Sequence, residues 1–278
     1  MHLTKLFKKR YISMLAITAV VTLLLLLCFV FSFDAENGYF DRGALPIIFY
    51  VAYGAGAVIS LLSLLIPSEF ETLETPDVVD QKSKPFFLAS AIATVLLGGL
   101  SFTMPQESTD LKITLGIGIG TICFGIYVIY TSIVGYRYDL LKLVFLFFSM
   151  SLPVMLGLGN NSNYYRHLNS VENILTALFS ISFLVYILFE SRRVAHGRHS
   201  GWHFVSMLWM LMSGASLSIA YFVAFMLDKV TESYRFYQML IILSISAFMA
   251  FESNRFVRTL TPKATQTFQA KEPTKEHE

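Results

Sequence analysis

The stretch SFLVYILFESRR at positions 182–193 returns in related form as SISAFMAFESNR at positions 244–255. The two copies lie 62 positions apart, and five of their 12 positions are identical without a gap. The same offset aligns the preceding apolar segments, where Leu146 and Met150 fall on Leu208 and Met212. We therefore predict that residues 142–200 and 204–262 are two copies of one helical hairpin.

The composition is that of a membrane protein. Hydrophobic residues make up 55% of the 278 positions and charged residues only 14%, whereas charge is near a quarter in soluble domains. Apolar runs of about 20 residues, the length that crosses a bilayer as a helix, occur at 11–33, 44–66, 85–104, 112–134, 142–159, 171–189, 203–227 and 236–252. These runs are continuously apolar, which favours helices over a barrel. The sequence thus predicts an all-α, polytopic membrane protein with about eight transmembrane helices in four hairpins.

The basic residues orient these helices. If the N-terminus is cytoplasmic, 16 of the 21 Lys and Arg residues lie in cytoplasmic segments, as the positive-inside rule requires. We predict that both termini are cytoplasmic and that the protein resides in the cell membrane. Residues 1–258 are predicted to form a single transmembrane domain. Residues 259–278 lose the apolar periodicity and are predicted to be a disordered cytoplasmic tail.

Two charged pairs recur in the repeat and are the main candidates for a binding or gating site. Glu190 and Arg193 are three residues apart, as are Glu252 and Arg255, so each pair shares a helix face. One interpretation is structural, with each arginine anchored to lipid phosphate and each glutamate as its local partner. The other is functional, since ionisable residues at membrane depth mark functional sites by default.

Serines near these pairs are further candidates. Ser182 and Ser244 lie two turns deeper on the same helices, and Ser213 and Ser216 lie in the seventh apolar run. Serines in membrane helices either bond to their own helix carbonyls and pack against other helices, or line a weakly polar cavity. Both interpretations stay open for these four residues.

Two weaker patterns are interpreted as structural. His196, His199 and His203 follow the first copy of the repeat with metal-ligand spacing, but glycines interrupt the helix that a metal site would require. We interpret them as a basic cytosolic loop and predict no metal and no cofactor. Gly116 and Gly120 have the small-xxx-small spacing that permits close helix packing.

Familiar catalytic motifs of membrane proteases and phosphotransferases are absent from the sequence, and no ionisable residue lies near the middle of a predicted span. The leading hypothesis is a non-enzymatic component that binds or passes a small neutral or amphipathic molecule. The first alternative is an accessory or regulatory subunit that docks a membrane or cytoplasmic partner through its cytoplasmic basic loops and the acidic segment 67–84. The second is a lipid-acting enzyme with Glu190 or Glu252 as its acid–base residue. The expected surroundings are the lipid bilayer, without nucleic acid.

Overall fold

The structure is a computed structural model that describes residues 2–34, 39–41, 43–65, 84–103, 111–135, 138–162, 171–197, 200–228 and 233–259. The acidic segment 67–84, apart from Lys84 itself, lies outside the described residues, as does the tail beyond Thr259. The predictions made for both therefore stay predictions.

The described chain is almost entirely helical. The helices are α1 (His2–Phe31), α2 (Ala44–Leu61), α3 (Lys84–Leu100), α4 (Leu111–Val134), α5 (Leu140–Ser149), α6 (Ser151–Ser162), α7 (Val171–His196), α8 (Gly201–Met210), α9 (Ser216–Met226) and α10 (Ser233–Thr259). Short 3-10 turns extend α2 to Leu65 and α3 to Thr103, and a π-helical turn at Leu211–Ala215 joins α8 to α9. The short strands β1 (Phe33–Asp34) and β2 (Tyr39–Phe40) pair antiparallel after α1.

The prediction of eight spans is confirmed. Within the described residues, eight helical segments are long and apolar enough to cross a membrane: Lys8–Phe31, Ala44–Leu65, Lys84–Thr103, Leu111–Val134, Leu140–Leu158, Val171–His196, Gly201–Met226 and Arg235–Val257. Two of them combine consecutive helices, because α5 continues into α6 and α8 into α9. The chain is an integral membrane protein.

Those two composite spans are interrupted at corresponding positions. The first breaks at Met150, where the missing amide hydrogen of Pro153 removes a helical hydrogen bond. The second contains the π-helical turn at 211–215. Shifting 211–215 back by the repeat offset of 62 gives 149–153, which brackets the first break. A duplicated hairpin would place the two irregularities in this way, and the duplication itself stays a prediction.

The contacts between helices do not single out four hairpins. Helix α1 packs against α2, α3 against α4, α6 against α7, and α10 against α8 and α9. However, α4 also packs closely against α5 and α6, and α7 packs against α8. Helix α1 also packs against α9, and α3 against α10. Packing therefore crosses the boundaries of the predicted hairpins, and the grouping into hairpins stays a prediction.

The interpretation of Gly116 and Gly120 as packing residues agrees with the geometry. A Cβ atom added at Gly120 would lie 2.6 Å from Ser151 Oγ and 2.7 Å from Leu152 Cβ. One added at Gly116 would collide with the side chain of Met155. These glycines let α4 approach α6 at the break before Pro153.

The orientation in the membrane can be tested by labelling. Single cysteines at Asn163 and Glu232 are expected to react with an impermeant thiol reagent outside intact cells, whereas one at His199 should react only after permeabilisation. The basis is the excess of Lys and Arg in the segments assigned to the cytoplasm. Labelling of His199→Cys in intact cells would show that the predicted topology is inverted or wrong.

Candidate functional site

The first charged pair of the repeat is buried inside the helix bundle. Glu190 and Arg193 lie in the last turns of α7 with side chains 1% and 2% exposed. Arg193 donates from Nε to Glu190 Oε2 at 2.7 Å, and from Nη2 to Glu190 Oε1. The burial of this guanidinium among protein groups favours the functional interpretation of the pair over lipid anchoring.

Residues from two other helices converge on the same carboxylate. The hydroxyl of Tyr127, in α4, donates to Glu190 Oε1. His203, in the first turn of α8, places Nε2 3.1 Å from Glu190 Oε2. The His203 ring also stacks on Tyr186, with ring centroids 4.9 Å apart. Glu190 thus ties α4, α7 and α8 together at one end of the bundle.

The second pair repeats the local geometry. Arg255 donates from Nε to Glu252 Oε2 at 2.8 Å and from Nη2 to Glu252 Oε1. Glu252 is 2% exposed and Arg255 5% exposed. Both are therefore enclosed by protein, which again favours the functional interpretation over lipid anchoring. The repeat places two matched ion pairs, each neutral as a whole, at the same end of the bundle.

Glu190 and Glu252 face a common cavity, which we call the paired-glutamate cavity. Its empty space is about 200 Å³ including solvent at the open mouth, but the room inside for water-sized molecules is about 10 Å³, enough for about one water. It lies where α3, α4, α7 and α10 meet, and its lining residues are Phe87, Tyr127, Val128, Thr131, Ser132, Glu190, Phe248 and Glu252. No basic side chain is among them.

One hydroxyl on the cavity wall is unsatisfied. Thr131 Oγ1 has no hydrogen-bond partner among the described residues, although Thr131 is only 5% exposed. Ser132, beside it, donates instead to the carbonyl of Val128 at 2.7 Å. Buried hydroxyls are nearly always hydrogen-bonded, so the Thr131 hydroxyl can accept or donate one further hydrogen bond on the cavity side.

Aromatic rings close the deep side of the cavity. Phe87 and Phe248 pack edge to face with centroids 5.3 Å apart, and Phe248 contacts Phe124 at 5.6 Å. Phe124 in turn meets Phe183 edge to face at 4.9 Å. The cavity is therefore polar at its glutamates and hydroxyls and apolar at its floor.

The four candidate serines do not join this cavity. Ser182 donates to Leu178 O at 2.7 Å, and Ser213 donates to Trp209 O at 2.6 Å. Ser244 donates to Ile241 O at 2.8 Å and also contacts Thr94, whereas Ser216 accepts from Thr22 at 3.1 Å. None of the four is among the lining residues. Their contacts fit helix packing.

Sequence reasoning missed the role of His203. It was assigned to a basic cytosolic loop, but it lies in α8 and is 1% exposed. His196 of the same group is exposed, and His199 lies outside the described residues. The available signal was Ser200, whose side chain accepts from Trp202 N at the start of α8. An N-cap there places His203 inside the helix.

Lys142 was also missed. It is fully buried, and Nζ donates to Gly135 O at 2.6 Å. This hydrogen bond satisfies a free carbonyl at the C-terminal end of α4, where a positive charge is also favoured by the helix dipole. Asp139 caps the start of α5 through Leu141 N. The hydrogen bond from Tyr130, and then the bond from Leu141 N, lower the pKa of Asp139. These contacts fix the turn from α4 to α5 beside the site.

The described part of the chain contains no group of three or more His, Cys, Asp or Glu side chains that could hold a metal ion. Comparison with known proteins finds no matching family model, no matching curated protein and no matching solved structure. The function must therefore be argued from the site itself.

Proposed function

We propose that this integral membrane protein binds a small neutral polar molecule in the paired-glutamate cavity. The observation that carries the proposal is the unpartnered hydroxyl of Thr131 in a wall that also presents Glu190 and Glu252. Ionisable residues retained inside a helix bundle are costly, so they are kept for a function. A binding role accounts for both features together.

The charges around the cavity favour a neutral ligand. Each lining glutamate already has its own arginine within 3 Å, so neither carboxylate needs a cationic ligand. Adding an unpaired charge to a buried neutral site would cost several kcal/mol. Carboxylate and hydroxyl oxygens are acceptors. The ligand should therefore be rich in O–H or N–H donors and carry no net charge.

The size of the cavity limits the ligand further. The 200 Å³ includes solvent at the mouth, whereas the room inside for water-sized molecules is only about 10 Å³, about one water. The floor formed by Phe87 and Phe248 suits a short apolar part. A single water fits the cavity as described, a small polyol or amide fits only if the surrounding side chains move, and a whole lipid does not fit.

A lipid-acting enzyme is the second candidate, because several polar groups converge on Glu190. Tyr127 and Arg193 donate to its two carboxylate oxygens, and His203 lies 3.1 Å away. A carboxylate held in this way is stabilised as an acceptor and is poorly placed to exchange a proton with a substrate. The convergence supports a positioning role for Glu190, so we favour binding over catalysis.

The proposal predicts that Thr131→Val weakens ligand binding without destabilising the protein. Valine keeps the shape but removes one hydroxyl, so binding should weaken about five- to tenfold, the equivalent of one hydrogen bond of about 1 kcal/mol. Stability should hold, because the hydroxyl has no partner among the described residues. Saturation-transfer NMR on the protein in detergent micelles, with glycerol, urea and ethylammonium as probes, measures the binding.

Thr103→Val is the matched control, since Thr103 is exposed and donates to Leu100 O one turn back in its own helical turn. We expect glycerol or urea to receive saturation from the wild type and the control, and much less from Thr131→Val. Transfer to ethylammonium alone would contradict a neutral ligand. Equal transfer in all three proteins would show that the probes bind elsewhere, against the proposal.

A further inference from the structure

One face of α7 runs from the cavity to the opposite end of the bundle. Its residues Glu172, Thr176, Phe179, Phe183, Tyr186 and Glu190 follow the three- and four-residue spacing of a single helix face, and all six are buried. Glu172 and Glu190 are 18 residues apart, which is about 27 Å of helix at 1.5 Å per residue. The face therefore spans the hydrocarbon layer, with a carboxylate at each end.

An ion pair lies at the end of this helix face that is far from the cavity. Arg235, at the start of α10, donates from Nη1 to Glu172 Oε2 at the start of α7. Glu172 is 6% exposed at its side chain and Arg235 22%. The pair thus joins the two helices that also carry the paired glutamates, but at their other ends.

Unsatisfied hydroxyls lie just beneath this ion pair. Thr176 Oγ1 and Ser180 Oγ, one helical turn apart, have no hydrogen-bond partner among the described residues, and both side chains are more than nine-tenths buried. Serine and threonine in a helix commonly donate to the carbonyl one turn back, as Ser182 does here. The hydroxyls of Thr176 and Ser180 are instead left for water or a passing solute.

Phenylalanines separate these hydroxyls from the cavity. Phe179 and Phe183 have centroids 5.9 Å apart, and Phe183 packs on Phe124, which contacts Phe248 of the cavity floor. Opposite Phe179 lies Gly214 of the π-helical turn, where an added Cβ would come within 2.7 Å of the Phe179 ring. The barrier therefore rests on an irregular turn, and such turns are frequent at functional sites.

We infer that the protein passes its small neutral polar ligand across the membrane along this face of α7. This inference rests on the proposed binding function. The paired-glutamate cavity is the site open to one side, Phe179 and Phe183 form the central barrier, and the Glu172–Arg235 pair closes the other side. Separation of that pair would connect Thr176 and Ser180 to water on the side of the bundle where Arg235 lies.

Cysteine accessibility tests the closure without any ligand. Thr176→Cys is placed in a chain that lacks the native thiols through Cys28→Ala and Cys123→Ser, and a charged, impermeant methanethiosulfonate is applied from the side that labels Glu232→Cys. The cysteine at 176 should be protected while the ion pair is intact. Neutralising both partners (Glu172→Gln with Arg235→Gln) should raise its labelling rate about tenfold, the change produced by 1.4 kcal/mol of closing energy.

Two controls separate opening from unfolding. The exchange Glu172→Arg with Arg235→Glu keeps an ion pair and should restore protection. Ile174→Cys, on the exposed face of α7 at 41% exposure, should stay unlabelled in lipid in every background. Protection of position 176 in the neutralised chain, or equal labelling of position 174, would overturn the pathway. Neither result depends on ligand binding, so failure here is distinct from failure of the Thr131→Val test.

Discussion

Replacing Arg193 with alanine is expected to lower the free energy of unfolding by about 3–5 kcal/mol, the usual cost of leaving one partner of a buried ion pair uncompensated. Glu190 would keep the hydrogen bond from Tyr127 and the contact with His203, but would lose both bonds from the guanidinium. At 1% exposure, water cannot replace them. The expected loss is a large part of the stability of a typical domain.

Unfolding in mixed micelles of a mild detergent and increasing SDS, followed by circular dichroism, measures this loss. Arg192→Ala is the matched control, because Arg192 is the adjacent residue in the same turn but is exposed. Its effect should stay within about 0.5 kcal/mol. The combination of Glu190→Gln with Arg193→Met removes both charges and should recover most of the stability.

The comparison decides between the two interpretations of the repeated pairs. If Arg193 anchored the helix to lipid phosphate, Arg193→Ala and Arg192→Ala would have similar small effects, and removing both charges would rescue nothing. Similar small effects would therefore contradict the buried geometry and the binding site built on it. A large effect at position 193 alone would support the buried geometry and the binding site built on it.

The membrane spans could be predicted from the sequence because bilayer thickness and backbone hydrogen bonding leave few alternatives. The eight apolar runs match the eight described spans within a few residues at most of their ends. The largest difference between a predicted and an observed end is in the sixth span, which was predicted to end at 189 but continues to His196. Glu190 and Arg193 are charged, so hydropathy ends the span before them, although the helix does not end there.

The site could be predicted only in part. The repeat identified Glu190, Arg193, Glu252 and Arg255, but not which way they face. In a membrane helix the lipid-facing and protein-facing sides are equally apolar, so periodicity does not reveal the buried face. Tyr127 and Glu190 are 63 positions apart in sequence, and no local sequence pattern predicts that they are in contact.

The second large effect is expected at Gly120, where alanine should destabilise the protein by about 1–3 kcal/mol through overpacking. An added Cβ would lie 2.6 Å from Ser151 Oγ and 2.7 Å from Leu152 Cβ, and closer still to the Leu152 amide nitrogen. A backbone atom cannot turn aside as a side chain can. Helix α6 would have to move away from α4, next to the break before Pro153.

Two other glycines serve as comparisons for Gly120→Ala. Gly116→Ala meets mainly the flexible side chain of Met155 and should cost less than Gly120→Ala. Gly99→Ala, in α3, meets nothing within 4 Å. It should be neutral or stabilising by up to about 1 kcal/mol, because alanine favours the helix over glycine. The same SDS titration ranks the three variants. A Gly120→Ala protein as stable as Gly99→Ala would mean that α4 and α6 do not approach as closely as described, because the added methyl group would otherwise have no room.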